Sequence, residues 1–73
     1  MQSIDKCSIR PTKHAKDKMI GEAVGKDKIR EILRFGFKRS QINKIISKMG
    51  NIEVVYRIKP CNIIIITLYV DTR

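Results

Sequence analysis

The chain has 73 residues, of which 16 are lysine or arginine and 7 are aspartate or glutamate, giving a formal net charge of +9. A domain of this length buries only about 60% of the surface that its unfolded chain exposes. The longest uninterrupted apolar run, Ile63–Ile66, is too short to cross a bilayer, and the first residues lack the apolar stretch of a signal peptide. We therefore expect one domain over residues 1–73 that is cytoplasmic, makes no membrane contact and attracts polyanions.

The sequence offers little support for metal or redox chemistry. Cys7 and Cys61 lack the spacing of a metal site, His14 is the single histidine, and the seven acidic residues are dispersed. No cluster suited to zinc or magnesium is therefore expected, and no other cofactor is indicated. We expect two reduced thiols; the alternative is a bridge that ties the N-terminus to a turn near Pro60.

The first half of the chain is predicted to hold two helices. Pro11 permits a helix to begin after it, and Ala15 and Met19, one turn apart, predict a short helix over Thr12–Ile20. A second helix is predicted over Lys26–Phe35, with an apolar face formed by Ile29, Ile32 and Leu33.

The second half is predicted to form an antiparallel meander. Phe37–Gln41 is polar and is expected to be a connection. Residues 42–49 fit a helix or a strand, and a strand over 43–49 is favoured because a Gly-Asn pair follows. Ile52–Ile58 alternates in polarity, and Ile63–Val70 is apolar on both faces, as in a central strand. The predicted fold class is α+β, with two N-terminal helices packed on an antiparallel sheet of three to four strands; a short N-terminal strand is left open.

Three short motifs resemble a small family of domains of unknown function. His14-Ala15-Lys16-Asp17-Lys18-Met19 resembles a first helix reading His-Ala-x-x-Arg-Met, Ile29–Gly36 resembles the second helix, and Ile65-Ile66-Thr67-Leu68-Tyr69 is similar to the last strand. That family belongs to the RelE/ParE-like grouping of small toxins, many of which are metal-independent ribonucleases of toxin–antitoxin systems. The resemblance implies a RelE/ParE-like fold, RNA as a target and an acidic antitoxin protein as a partner. Lys18 departs from the family's arginine, and a lysine cannot make a two-pronged contact with phosphate.

Metal-free RNA cleavage requires an acid, a base and cations near the phosphate. A histidine suits the acid or base role, so His14 is the first candidate; Lys18 lies one helical turn away, and Arg57 can join them if its strand packs beneath that helix. The predicted catalytic residues are therefore His14, Lys18 and Arg57. The predicted RNA-binding residues are Lys13, Lys38, Arg39 and Tyr69, of which the tyrosine offers a ring for base stacking.

Two other interpretations remain open. The chain is alternatively a non-catalytic module that binds nucleic acid or ribosomes through the same basic surface. In that case the role of His14 is structural, and its ring caps the first turn of the helix or hydrogen-bonds the sheet. It is alternatively a protein-interaction domain that docks a partner on an exposed edge strand. Formation of a homodimer would add stability to a domain of this size.

Overall fold

The computed structural model describes residues 8–59 and 62–71. The described strands form one sheet in the order β1-β5-β4-β3-β2, in which β1 is parallel to β5 and the other neighbouring pairs are antiparallel. In chain order the elements are β1 (Ser8–Pro11), α1 (Lys13–Gly21), α2 (Lys26–Phe35), β2 (Phe37–Gln41), β3 (Lys44–Met49), β4 (Ile52–Lys59) and β5 (Asn62–Val70).

The predicted fold class is wrong in its layout. The sheet is mixed and has five strands, and the two helices lie between β1 and β2 rather than ahead of the whole sheet. β1 gives a weak signal because it has four residues, of which only Ile9 is buried. β2, expected to be a connection, is exposed at all five positions, so no apolar alternation marks it, and its pairing with β3 holds it in the sheet.

The helices cover one face of the sheet and form the core with it. α1 contacts β5, and α2 contacts β3 and β4. The apolar face predicted for α2 is confirmed, since all three of its residues are fully buried. The strand predicted over 43–49 is also confirmed, as Lys44–Met49. The largest fully buried side chains are those of Tyr56, Ile29, Ile32, Leu33, Ile63, Ile65 and Leu68.

α1 is tied to β5 through its first turn. The Ala15 N–H donates to Thr12 Oγ1 at 3.2 Å, which satisfies one of the free amides at the helix start. The same hydroxyl donates to the Ile66 carbonyl at 3.0 Å, and the Thr12 N–H donates to the Ile65 carbonyl at 2.9 Å. Thr12 therefore both caps the start of α1 and fixes the helix against the sheet.

Two predictions concern parts of the chain that lie outside the described residues. Cys7 and Cys61 are both there, as is Pro60 of the predicted turn. Over residues 8–59 and 62–71, no helix is long and apolar enough to cross a membrane.

Candidate nucleic-acid interface

The sheet face opposite the core, here called the open face, carries polar and basic side chains. Because side chains alternate across a strand, cross-strand partners show which residues share this face. Its middle row consists of Arg39, Ile46, Val55 and Thr67, and its neighbouring row of Phe37, Lys48, Glu53 and Tyr69. Gln41 and Lys44 form a pair at the other side of the middle row.

A β-bulge in β5 decides which of its residues reach the open face. Val55 pairs with Thr67 and Tyr56 pairs with Ile65, so Ile66 has no residue opposite it on β4. This extra residue shifts the alternation of β5. As a result Ile65 and Leu68 both lie in the core, whereas Thr67 and Tyr69 lie opposite residues of the open face.

A groove of about 560 Å³ runs over the open face. Ile46, Val55 and Thr67 form its floor and are nearly buried. Apart from Ile66, its remaining lining residues are Thr12, His14, Gln41, Lys44, Glu53 and Tyr69. The groove therefore combines a floor of two apolar residues and one threonine with polar, ionisable and aromatic walls.

The structure places two of the predicted site residues, His14 and Tyr69, in the groove, and a third, Lys18, beside Tyr69. His14 and Tyr69 both line it, and His14 is exposed. The Lys18 ammonium lies 5.8 Å from the centroid of the Tyr69 ring, within range of a cation–π interaction. The link between Thr12 and the bulge at Ile66 places this part of α1 beside β5.

The two predicted arginines are placed differently. Arg39 lies on the open face, where its Nη2 is 3.7 Å from Glu53 Oε2. Arg57 is exposed and lines a neighbouring cleft of about 290 Å³. Lys44 lines both this cleft and the groove. Arg57 is therefore outside the set of residues that line the groove with His14.

The two remaining predicted residues lie away from the groove. Lys13 is the first residue of α1, is exposed, and is not among the lining residues. Lys38 pairs with Ser47, whose hydroxyl donates to the Ile32 carbonyl at 2.7 Å and therefore points into the core face. Lys38 Nζ donates to the Gly36 carbonyl at 3.2 Å. Lys38 consequently shares the helix-covered face rather than the open one.

Sequence reasoning missed Gln41, Lys44 and Glu53, which line the groove. The position of Glu53 is predictable from the sequence, because the alternation of Ile52–Ile58 places it on the face opposite the apolar residues. Gln41 is not predictable in this way, because all five residues of its strand β2 are exposed and no apolar alternation marks it. The segment 37–59 has one acidic residue, Glu53, against six basic ones: Lys38, Arg39, Lys44, Lys48, Arg57 and Lys59.

The groove floor contains one polar atom without a partner. Thr67 is 8% exposed, and no hydrogen bond to its Oγ1 is found within the described parts of the chain. Those parts also contain no group of three or more His, Cys, Asp or Glu side chains that could hold a metal ion.

Comparison with known proteins identifies the fold. No family model matches the chain, and no match was found among curated proteins. One chain of the toxin–antitoxin complex RelBE2 from Mycobacterium tuberculosis is similar, with a TM-score of 0.63 and 19% sequence identity over 90% of this chain and 99% of that chain. At this identity the likeness concerns the fold alone, and the resemblance to the small family of the three motifs stays a prediction. The chain therefore shares its fold with that chain.

Proposed function

We propose that the open face binds RNA and that the chain is the toxin of a toxin–antitoxin pair, neutralised by an acidic protein. The observation that carries the proposal is a groove on a basic sheet face that His14 and Tyr69 line, with Lys18 beside the Tyr69 ring. The likeness of fold to a chain of the RelBE2 complex supports the toxin role.

The charges of the open face suit a nucleic-acid backbone. Arg39, Lys44 and Lys48 lie on this face beside the single acidic residue of the segment, Glu53. A short run of single-stranded RNA would lie along this face with phosphates near these cations and one base stacked on Tyr69, which is 54% exposed.

The same groove contains groups for metal-independent cleavage. In such a reaction the ribose 2′-oxygen attacks the phosphorus, the bond to the 5′-oxygen breaks, and the products are a 2′,3′-cyclic phosphate and a 5′-hydroxyl. One group takes the proton of the 2′-hydroxyl and another gives a proton to the 5′-oxygen. His14 and Glu53 are the two ionisable groups of the groove other than lysine and tyrosine, and we assign the two transfers to them, with Lys18 offsetting phosphate charge.

Cleavage is tested by incubating the purified protein with single-stranded RNA in the presence of EDTA. Loss of one proton-transfer group typically lowers the rate by about 10²–10⁴-fold. His14→Ala should therefore lose cleavage to this extent and still bind RNA, whereas Lys13→Ala, one residue away and outside the groove, should cleave like the wild type. Undiminished cleavage by His14→Ala removes His14 from the mechanism.

One observation favours a second function, RNA binding without cleavage. Arg57, one of the predicted catalytic cations, lines the neighbouring cleft instead of the groove. The cation that lines the groove is Lys44, and Lys18 lies beside the Tyr69 ring. Wild-type protein that binds RNA with a steep salt dependence and cleaves none would establish this second function.

A further inference from the structure

A second concave region lies beside β1, the edge strand at the other end of the sheet from β2. It consists of two adjoining clefts, of about 460 Å³ and 380 Å³. Both are lined by Pro11, Lys16 and Lys26, so they lie side by side. We call them together the β1-side groove; of the residues that line it, none lines the groove of the open face.

One half of the β1-side groove is cationic. Arg10, Lys16 and Lys26 come from three different elements, β1, α1 and the first turn of α2, and converge on one cleft. Arg10 Nε donates to Asn62 Oδ1 at 2.9 Å, which ties the guanidinium to the neighbouring strand β5. Among the described residues that line either half, none is acidic. The arrangement therefore attracts anionic groups at three points.

The other half is apolar. Met19 and Val24 form its base and are 8% and 7% exposed, whereas Ile20 stands at the rim and is 73% exposed. These residues belong to the C-terminal end of α1 and the turn after it, where the Val24 N–H donates to the Met19 carbonyl at 2.8 Å. This motif usually has glycine at the position of Ala23, which here has a φ of 54° and lines the cleft. Unfavourable backbone conformations of this kind cluster at binding sites.

We propose that the β1-side groove binds an acidic segment of a partner protein, with carboxylates against the three cations and one aliphatic side chain in the apolar half. RNA fits the groove poorly, since none of its lining residues is aromatic and half of it is aliphatic. A second copy of the chain fits poorly because the net charge is +9. The inference rests on the groove alone, and it gives the acidic partner of the proposed toxin a docking surface separate from the RNA.

The test uses fluorescence anisotropy with the labelled peptide Glu-Asp-Glu-Leu-Glu-Asp-Glu at physiological ionic strength. The double variant Lys16→Glu/Lys26→Glu changes two exposed side chains of the groove. The control, Lys44→Glu/Lys48→Glu, makes the same change in net charge on the open face. Loss of close charge pairs should raise the Kd of the first variant at least about tenfold, and the control should differ from the wild type by less than about threefold.

A second peptide, with serine in place of leucine, tests the apolar half. Since burial of a leucine side chain contributes about 1.5–3 kcal/mol, the serine peptide should bind about tenfold more weakly or worse, and only the leucine peptide should shift the methyl resonances of Met19 and Val24. Equal binding of the two peptides, equal loss in the two double variants, or displacement of the peptide by oligouridylate or by phosphatidylglycerol vesicles would overturn the proposal. Because the control variant should lose RNA rather than peptide, failure of RNA binding is distinguishable from failure of this proposal.

Discussion

Gly36 joins α2 to β2 where the end of the helix lies close to β3, and its replacement by alanine should be strongly destabilising. An added Cβ would lie 2.5 Å from the Ile32 carbonyl oxygen, 2.5 Å from Ser47 Oγ and 2.9 Å from the Lys48 carbonyl oxygen. Two of these atoms belong to the backbone and cannot rotate away. The third can, but only by breaking the 2.7 Å hydrogen bond from Ser47 to Ile32.

The expected loss follows from these contacts. Overfilling a packed site costs about 1–3 kcal/mol and the lost hydrogen bond about 1 kcal/mol, so Gly36→Ala should lose about 2–4 kcal/mol. In a domain of this size each kcal/mol lowers the Tm by about 4–8 °C, which predicts a fall of about 10 °C or more in a thermal melt followed by circular dichroism. Gly21→Ala is the control, because nothing lies within 4 Å of its added Cβ and alanine favours a helix. If Gly36→Ala melts together with Gly21→Ala, the described packing of α2 against β3 is wrong.

Three further predictions concern the core and the groove floor. Ile65→Ala should lower the free energy of unfolding in urea by about 2–5 kcal/mol, since Ile65 is fully buried. The control Lys28→Ala should lower it by no more than about 0.5 kcal/mol, because the contact of Lys28 with Glu31 is an exposed ion pair at 3.6 Å. Similar losses in the two variants would contradict the core assignment. Burial raises the pKa of Tyr56 above its usual value of 10.0, so the contribution of the neutral tyrosine to stability is fully present below pH 10 and is lost as the pH rises through the raised pKa. Tyr56→Phe should remove this loss of stability at alkaline pH, and an unchanged pH dependence in the variant would refute its attribution to Tyr56. Thr67→Val should leave stability unchanged or raise it by up to about 1 kcal/mol, because it removes a buried hydroxyl without a partner; a clear loss in the same unfolding assay would show that the hydroxyl is bonded.

The sequence was most informative where local signals mark an element. α2 has the predicted bounds, Lys26–Phe35, because an acidic residue lies in its first turn and Gly36 follows its last. β4 and β5 were also predictable, from alternation in one and a continuous apolar run in the other. These signals arise within a few residues of the chain and do not depend on how the elements pack.

The missed parts depend on contacts between distant residues. β2 is a strand because it pairs with β3, and its own five residues are all exposed. The bulge at Ile66 depends on register with β4 and on the contact from Thr12, neither of which a single sequence reveals. Without β2 and the bulge, the sequence could propose His14 and Tyr69 from the resemblance, but it could not assemble the groove that also includes Gln41 and Lys44.

The central claim, that the open face binds RNA, is tested most directly by a ¹H–¹⁵N NMR titration of the protein with a short single-stranded RNA. We expect saturable shifts concentrated at His14, Lys44 and Tyr69, and an affinity whose logarithm falls against log salt by about 0.7 for each phosphate contacted. Lys44→Glu/Lys48→Glu should weaken binding, and Lys16→Glu/Lys26→Glu should change it far less. Shifts concentrated at Lys16, Lys26 and Val24, or an affinity that does not change between low and moderate salt, would contradict the account.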